Sequence, residues 1–301
     1  MSCPKVSVII PSYNSEKYIQ KALTSVYLQT EKQLEIIVID DCSDDSTLQL
    51  LQRQDDSRVR VYANNKNMGP AYSRNRALTL ARGEWIALLD SDDWYEPTRL
   101  ENLLFIAECE HLDMIADDSY LIKEGQGHPW CTYFRYKNLT FHGNKQIDIK
   151  KFILMDLSIK PLIRTRFLHE NSITYNESFR IGEDIILYVD CLLRGARLVV
   201  VDSPYYYYLD RNGSLMNDKF NAVTQAKDVY TEILNKDGII ENPELASLVK
   251  KIIAHIDEEI GVQKIRSHFM HGRIFSAIKD ATTRPSLLSN ILHRVPKFLE
   301  Y

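Results

Sequence analysis

The sequence has few cysteines, and they do not form a recognisable set. Five are spread along its 301 residues without a Cys-x-x-Cys pair: Cys3, Cys42, Cys109, Cys131 and Cys191. An odd number at wide spacing argues against a disulfide framework and against a zinc site. We therefore expect reduced, mostly buried thiols, as in cytoplasmic proteins.

Long apolar runs and a strong net charge are also missing. No stretch approaches the roughly 20 apolar residues that span a bilayer, and no basic and apolar leader stands at the start. The net charge is −4, and no aromatic-basic motif of the kind that reads bases occurs. We therefore set aside nucleic acid as a partner and expect a chain that is neither secreted nor transmembrane by its own signals.

The sequence does contain a regular alternation of apolar runs and amphipathic stretches. Strands are predicted at 6–10, 34–39, 59–63 and 85–89, with helical patterns between them. This alternation predicts an α/β fold whose parallel strands are joined by right-handed crossovers. Farther along we predict short strands at 114–116 and 198–201, a helix over 161–169, and only helices after residue 219.

Acidic residues follow two of these strands. Asp40 and Asp41 come after 34–39, whereas Asp90, Asp92 and Asp93 come after 85–89. The carboxyl ends of parallel strands share one edge, where ligands of α/β proteins bind. Clustered carboxylates suit Mg²⁺ or Mn²⁺ shared with a substrate diphosphate. A solvated turn that caps the next helix is the alternative. The strand at 114–116 also ends in acids, Asp117 and Asp118.

Two later segments each allow a functional and a structural interpretation. Residues 123–147 are aromatic, basic and rich in glycine, which suits either a loop that carries specificity or a solvated hairpin. Gly182 precedes Glu183 and Asp184 at the start of a predicted helix. Gly182 permits a close approach or an awkward turn, and the two acids are either catalytic or only partners of the helix dipole.

The last part of the chain is basic. Residues 260–301 hold seven Lys or Arg against two acids. Apolar residues beside this basic stripe give the pattern of a helix that lies at a membrane surface: Leu287, Leu288, Ile291, Leu292, Val295, Phe298 and Leu299. The same helix could instead dock onto the rest of the chain or form a homodimer, and the pattern does not decide between these partners.

Five short motifs occur in an order that resembles a known family. They are Val8–Asn14, Ile37–Thr47, Asn67–Gly69 with Ser73–Asn75, Leu89–Asp93 with its Asp-x-Asp form, and Gly182–Asp184. Together they resemble the family 2 inverting glycosyltransferases of GT-A fold, in particular the bacterial enzymes of exopolysaccharide, capsule and O-antigen assembly. The resemblance covers about residues 4–215.

The resemblance implies a domain organisation. A Rossmann-like GT-A domain would occupy 1–219, with a mostly parallel sheet and flanking helices. Its nucleotide-sugar-binding half would be about 1–118 and its acceptor-binding half about 119–219. A helical extension over 220–301 would follow.

The resemblance also implies a role for each matching residue. Tyr13 would stack on uracil beside Pro11, and Asp41 would accept the uracil N3 hydrogen, so the expected nucleotide is UDP. Asp90 would hold the ribose hydroxyls. The other residues expected to bind the nucleotide-sugar are Asn14, Asn67, Arg74, Arg211 and Ser214.

The chemistry follows from the same resemblance. Asp92, helped or replaced by Asp93, would hold Mn²⁺ or Mg²⁺, and Asp184 would be the general base with Glu183 beside it. A hexosyl unit from UDP-glucose or UDP-galactose would pass to a hydroxyl of a saccharide acceptor in surface polysaccharide assembly. An acceptor linked to polyprenyl diphosphate would place the enzyme in the cytoplasm, peripheral on the inner face of the cytoplasmic membrane.

The sequence departs from the family pattern at a few positions, and other classes of protein share part of it. Cys42 stands where the family commonly has glycine, and Pro70 and Tyr72 crowd a loop usually filled by small residues.

A receiver-like phosphoacceptor domain also places acids at strand ends but is much shorter. A non-catalytic scaffold of a polysaccharide assembly complex would keep the fold, although it would not need the intact acids.

Overall fold

The computed structural model describes residues 3–211 and 219–270. The chain divides into two compact units, Met1–Ser214 and Leu215–Tyr301. No helix in the described ranges is both long and apolar enough to cross a bilayer. The predicted basic tail is 260–301, and its part from residue 271 onward, which includes the apolar residues of the expected interfacial helix, lies outside the described residues.

The strands of the first unit form one central sheet. In chain order they are β1 (Val6–Ser12), β2 (Leu34–Asp40), β3 (Val59–Ala63), β4 (Trp85–Leu88), β5 (Trp94–Tyr95), β6 (Met114–Lys123), β7 (Cys131–Thr132), β8 (Lys145–Ile147), β9 (Leu162–Arg164) and β10 (Leu198–Asp210). Their order in the sheet is β3-β2-β1-β4-β9-β6-β10-β5, with β7 beside β6 and β8 beside β10.

Helices flank this sheet and continue in the second unit. Those of the first unit are α1 (Ile19–Tyr27), α2 (Thr47–Gln52), α3 (Pro70–Leu80), α4 (Arg99–Cys109), α5 (Tyr133–Tyr136), α6 (Ile149–Met155), α7 (Thr165–Glu170) and α8 (Glu183–Leu193). Those of the second unit are α9 (Lys219–Leu234), α10 (Asp237–Ile240) and α11 (Pro243–Met270). An ion pair of 2.7 Å between Lys227 and Asp257 joins α9 to α11.

The first four strands are parallel, as the sequence predicts. β1 lies between β2 and β4 and runs parallel to both, and β3 pairs in parallel with β2. All of β2 is buried, which explains its apolar run Ile36–Ile39. The carboxyl ends of these strands therefore share one edge of the sheet, formed by Ser12, Asp40 and Leu88, which we call the site edge.

Residues 161–169 do not form the single helix that the sequence predicts. Leu162–Arg164 form β9, which runs antiparallel between β4 and β6, and α7 begins only at Thr165. Leu162 and Ile163 are almost fully buried, so strand pairing on both sides outweighs the local helix preference. The α/β prediction is confirmed, but the complete sheet is mixed, because the short strands β5, β7, β8 and β9 run antiparallel to the strands with which they pair.

The predicted strands at 114–116 and 198–201 are only the beginnings of longer ones. β6 and β10 pair in parallel along their length, with register shifts around Pro204. Asp117 therefore lies inside β6, buried beside Arg99 of α4, and not at a strand end. The prediction of a third acidic strand end is wrong because the apolar run alone does not reveal how far the pairing extends.

The segment 123–147 contributes short elements to the sheet. β7 pairs with β6 and β8 pairs with β10. Phe134 and Phe141 are buried and pack against each other with ring centroids 4.7 Å apart. Trp130 and Tyr136 remain exposed. The segment is therefore more than the loop or solvated hairpin that the sequence suggests.

The cysteines are free thiols, but most of them are not buried. Cys191 is buried, Cys131 is half-buried, and Cys3, Cys42 and Cys109 are exposed. The prediction of mostly buried thiols is therefore wrong.

Candidate active site

The two predicted acidic clusters meet at the site edge. Asp41 directly follows β2, and Asp90 lies just beyond β4. Both strands neighbour β1, so the two acids flank the loop that leaves β1 after Ser12. The prediction that two strands bring acids to one edge is confirmed.

Asp41 is held by the loop that leads into α3. Its Oδ1 accepts hydrogen bonds from Asn64 Nδ2 (2.7 Å) and the Met68 N–H (2.9 Å), and its Oδ2 accepts one from the Gly69 N–H (2.7 Å). Gly69 has φ +91°, a conformation open to glycine that brings its N–H to the carboxylate. A carboxylate has about four acceptor positions, so Oδ2 can accept a further donor.

The loop after β1 is fastened to the loop after β2. The Asn14 N–H donates to Ser43 Oγ (3.0 Å), and the Asp44 N–H donates to Asn14 Oδ1 (3.0 Å). Tyr13 projects beside them with 46% of its surface exposed, whereas Pro11 lies half-buried within β1. An exposed ring next to a fixed loop suits the stacking predicted for Tyr13.

Cys42 adopts the backbone conformation that glycine adopts most easily. Its φ is +63°, in the left-handed region. This conformation costs a residue with a side chain about 1–2 kcal/mol. The turn after Asp41 thus keeps the backbone that the family's usual glycine would favour, although the residue has changed.

Asn67 faces Arg180 in the loop before α8. Arg180 Nη1 donates to Asn67 Oδ1 at 2.9 Å, and the Arg180 side chain lies next to Gly69. This contact joins the Asp41 loop to the segment that leads into α8.

Two cations and three acids form a closed ring beneath the site edge. Arg74 donates from Nη2 to Asp90 Oδ1 (2.7 Å) and from Nη1 to Glu183 Oε1. Lys160 Nζ lies 2.9 Å from Asp90 Oδ2 and 3.1 Å from Asp184 Oδ2. The peptide bond between Glu183 and Asp184 completes the ring, so α3, α8, the end of β4 and the start of β9 meet at one point.

The charges of this ring shift the pKa values of its members. Burial opposes both cations, but Asp90 and the acids of α8 hold the pKa of Lys160 and of Arg74 well above their ordinary values. Burial also opposes ionisation of Asp90, yet Lys160 and Arg74 hold the pKa of Asp90 well below its usual range. Burial raises the pKa of Glu183, with Arg74 acting against the shift.

Gly182 makes the start of α8 possible. Gly182 directly precedes Glu183 and has a φ of +76°, in the left-handed region. The predicted awkward turn is confirmed. The two acids that follow point in different directions: Glu183 is buried toward Arg74, whereas Asp184 is partly exposed beside Lys160.

Asp92 lies at the surface of the site and pairs with Arg211. Arg211 Nε donates to Asp92 Oδ2 at 2.6 Å, and the Arg211 guanidinium lies 4.9 Å from the Tyr18 ring centroid. Burial, and the negative charge of Asp90, raise the pKa of Asp92 despite Arg211. Ser214, the other residue predicted in this turn, lies outside the described residues.

Asp93 points into the protein. Its Oδ2 accepts a hydrogen bond from the Tyr206 hydroxyl (2.6 Å) and its Oδ1 accepts one from the Leu209 N–H (2.8 Å), so it ties the acidic loop to β10. Burial and the charges of Asp92 and Asp90 raise the pKa of Asp93 well above its ordinary value. A solvated capping turn does not describe this residue, which is 1% exposed.

The donor set at Asp92 fits a divalent cation that is shared with a substrate. Mg²⁺ in particular is usually bound by one or two carboxylates together with substrate phosphates and water. Asp92 offers a partly exposed carboxylate in a region of excess negative charge. Over residues 3–211 and 219–270, no group of three or more His, Cys, Asp or Glu side chains is arranged to hold a metal.

Sequence reasoning missed two residues that organise the site. Neither Lys160 nor Tyr206 is among the site residues that the sequence predicts, because neither belongs to one of the five motifs. Both act through contacts between distant segments. Lys160 lies two residues before the buried strand β9, and this position points to the site edge only once β9 is recognised in the structure.

Comparison with known proteins settles the family. Residues 7–168 match the model described as glycosyl transferase family 2. The chain belongs to glycosyl transferase family 2. It is therefore a glycosyltransferase, and the family predicted from the five motifs is confirmed.

Similar proteins extend the likeness to most of the chain. The succinoglycan biosynthesis protein ExoO of Rhizobium meliloti (strain 1021) is 31% identical in an alignment 256 positions long that covers 79% of this chain and 71% of ExoO. The succinoglycan biosynthesis protein ExoU of the same strain is 32% identical in an alignment 316 positions long, gaps included, that covers 95% of this chain and 86% of ExoU.

A solved structure shares the fold. The crystal structure of Staphylococcus aureus TarS 1–349 in complex with UDP-GlcNAc matches with a TM-score of 0.65 and 28% identity, over 88% of this chain and 73% of that fragment. TarS is a poly(ribitol-phosphate) beta-N-acetylglucosaminyltransferase, and the chain spans only 41% of its full length. The expected GT-A fold class is confirmed.

Proposed function

We propose that the chain is an inverting transferase that moves a hexosyl unit from a UDP-sugar to a hydroxyl of a saccharide acceptor in bacterial surface polysaccharide assembly. The observation that carries the proposal is the contact of Asp184 with Asp90 through Lys160 at the site edge. It brings an acid of α8 beside the strand ends that would hold the nucleotide. The UDP-GlcNAc bound by the related TarS fragment and the names of ExoO and ExoU support the donor class and the pathway.

On the nucleotide side, uracil would stack on Tyr13 beside Pro11, and its N3 hydrogen would reach the remaining acceptor position of Asp41. Asn14 and Asn67 fix the loops on either side of this position. Asp90 would accept the ribose hydroxyls, and Arg74 would hold Asp90 ionised and correctly oriented for them.

The diphosphate would lie over Asp92. We propose Asp92 as the carboxylate that holds Mn²⁺ or Mg²⁺, with Asp93 orienting the loop from behind. A bound divalent cation would supply Lewis-acid stabilisation of the negative charge that develops on the UDP leaving group. Arg211, which contacts Asp92, would then bind a phosphate oxygen, together with Ser214 three residues later in the sequence.

The acceptor side needs a group that removes a proton from a hydroxyl. The acceptor oxygen attacks the anomeric carbon on the face opposite UDP, and the bond from that carbon to the phosphate oxygen breaks with its electron pair leaving on UDP. Asp184 takes the hydroxyl proton as the new bond forms. A single displacement inverts the anomeric configuration without a covalent enzyme intermediate. Glu183 faces Arg74 and is more buried than Asp184, so it would serve Asp184 as a neighbour.

Glucose and galactose are the donor sugars that we propose first, with N-acetylglucosamine next because the TarS fragment binds UDP-GlcNAc. The proposed acceptor is a saccharide on polyprenyl diphosphate. Such an acceptor would bring the enzyme to the inner face of the cytoplasmic membrane, where the basic tail beyond residue 270 would meet anionic lipid.

A UDP-release assay tests this function. Wild-type protein is incubated with Mn²⁺ and UDP-glucose, UDP-galactose or UDP-GlcNAc, either in water alone or with a polyprenyl-diphosphate disaccharide in vesicles. We expect one donor to be turned over. Asp184→Asn should lower kcat by about 100-fold or more, because it removes the proton acceptor.

The matched control is Asp202→Asn, which changes an exposed acid of β10 and should leave kcat unchanged. No turnover of any UDP-sugar by the wild type, or full turnover by Asp184→Asn, would contradict the proposal.

A further inference from the structure

Lys160 bridges two carboxylates of the ring beneath the site edge. Its ammonium contacts one oxygen of Asp90 and one oxygen of Asp184, at 2.9 Å and 3.1 Å. The other Asp90 oxygen is held by Arg74, which reaches Glu183 and not Asp184. Within the described residues, Lys160 is thus the side chain that links the nucleotide-side acid to the proposed base.

The backbone of Lys160 is fixed from below. Arg99 Nη2 donates to the Lys160 carbonyl at 2.5 Å, and the same guanidinium is bound through Nε and Nη2 to the buried Asp117. Pro161 follows Lys160 and restricts the backbone at the entry to β9. The side chain is only 14% exposed, so its ammonium has little freedom to leave the two acids.

Loss of the Lys160 charge would leave the ring unbalanced. Asp90, Glu183 and Asp184 would then face Arg74 as the remaining cation of the ring. Carboxylates at such distances repel one another in a poorly hydrated site. Asp184 would lose the cation that contacts it, so its carboxylate could rotate toward solvent, whereas Arg74 would still hold Asp90 and Glu183.

We propose that Lys160 is a positioning residue for sugar transfer, because its ammonium holds the Asp184 carboxylate toward Asp90 and so fixes the base at a set place beside the donor. This inference rests on the proposed function. Lys160 acts through Asp184 and takes no part in bond making or breaking.

Lys160→Met tests this role because methionine keeps much of the length and removes the charge. We expect kcat for UDP release to fall by about 10-fold or more, since a displaced base acts poorly. The affinity for UDP should change by less than about threefold, because Arg74 still holds Asp90. Lys160→Arg keeps a cation at this place and should restore part of the lost kcat.

The division between kcat and UDP affinity provides a readout that a merely structural role would not change. A variant that is only less stable loses folded protein, so its apparent kcat follows its melting temperature. A displaced base instead lowers kcat while the folded fraction and the UDP affinity stay unchanged, and Lys160→Arg recovers part of kcat because a cation again contacts Asp184.

Lys5→Met is the matched control. It removes a lysine–carboxylate pair of similar length, 2.8 Å to Glu108, near the start of β1 and away from the site edge. It should leave both kcat and the UDP affinity unchanged. If Lys160→Met melts below the assay temperature, Lys160→Gln is measured by the same criteria.

The outcomes separate this inference from the function on which it rests. No UDP release by the wild type contradicts the proposed function itself. Wild-type turnover with an unchanged kcat in Lys160→Met contradicts the role of Lys160 alone. A loss that appears in UDP affinity and not in kcat also contradicts it, because Lys160 would then belong to the nucleotide pocket.

Discussion

Asp41 and Cys42 are adjacent in the sequence, but hydrogen bonds hold the side chain of Asp41, whereas Cys42 has an unfavourable backbone conformation. Asp41 is satisfied by three donors from a single loop, so its place is set by hydrogen bonds. Cys42 is exposed and held in a left-handed conformation that it does not favour. The turn is therefore maintained by the contacts of Asp41 against the preference of the residue that follows.

Substitution at Cys42 should follow backbone preference. Cys42→Val should destabilise the fold by about 1–2 kcal/mol, because a β-branched side chain is strongly disfavoured at positive φ. Cys42→Gly should keep the stability within about 1 kcal/mol, since relief of strain offsets the greater freedom of the unfolded chain. Urea denaturation measures both, with Cys109→Val in α4 as the exposed control. Equal losses for Cys42→Val and Cys109→Val would contradict this account of the turn.

The site residues that could be predicted from the sequence are those marked by a pattern among their neighbours in the sequence. Asp41 and Asp90 each end an apolar run, and the parallel arrangement of β1, β2 and β4 then places them at one edge. Lys160 has no such signal, because its partners stand far from it in sequence and on different elements. The inward direction of Asp93 was equally hidden, since it depends on how far β10 extends.

At the scale of elements, Glu35 ties the strands together at the edge opposite the site. This buried carboxylate of β2 accepts from Ser7 of β1 (2.7 Å), from Arg60 of β3 (2.6 Å), and from Arg82 just before β4 through both its N–H (2.7 Å) and its guanidinium. Burial acts to raise the pKa of Glu35, but the hydrogen bonds from Ser7 and Arg82 hold it below its ordinary value.

Glu35→Gln should therefore weaken the parallel part of the sheet. We expect a loss of about 1–3 kcal/mol at pH 7, because hydrogen bonds to a charged group are lost and donors are left unsatisfied. A carboxylate whose pKa is lowered by folding stabilises above its unfolded pKa, and this contribution disappears as pH falls through the folded value. The difference from wild type should thus be largest near pH 7 and shrink as pH falls below about 4.5.

Urea denaturation at several pH values measures this difference. Glu110→Gln, an exposed change at the end of α4, is the control and should have little effect at any pH. A loss that is independent of pH would contradict the assignment to the Glu35 charge.

The helices and strands differ in how far they depend on pairing with distant segments, and those that depend on it least could be predicted from the sequence. The long apolar or amphipathic segments β1, β2, α1 and α3 follow from periodicity, and the structure confirms them. β9 does not, because a run of only three residues between two neighbouring strands carries no period of its own. The continuation of β6 and β10 could not be predicted either, because their later residues form strands only through pairing with each other in the sheet.

At the scale of the whole first unit, the two ends of the sheet carry different charge balances. Around Glu35, arginines outnumber the acid, and the cluster is complete within the protein. At the site edge the described carboxylates outnumber Arg74, Lys160 and Arg211. Burial raises the pKa values of Asp92 and Glu183, and the charge of a neighbouring acid adds to the shift of each. An excess of negative charge beside a partly exposed carboxylate favours a cation brought in with an anionic substrate.

Calorimetric titration of UDP into the wild type and Asp92→Asn, each with and without Mn²⁺, tests this view of the site edge most directly. We predict that Mn²⁺ strengthens UDP binding to the wild type by about 10-fold or more and that Asp92→Asn loses this gain while melting at the same temperature. Asp202→Asn, the exposed control on β10, should keep the gain. Absence of UDP binding, or binding that Mn²⁺ leaves unchanged in the wild type, would contradict the assignment of this edge as a metal-assisted UDP-sugar site.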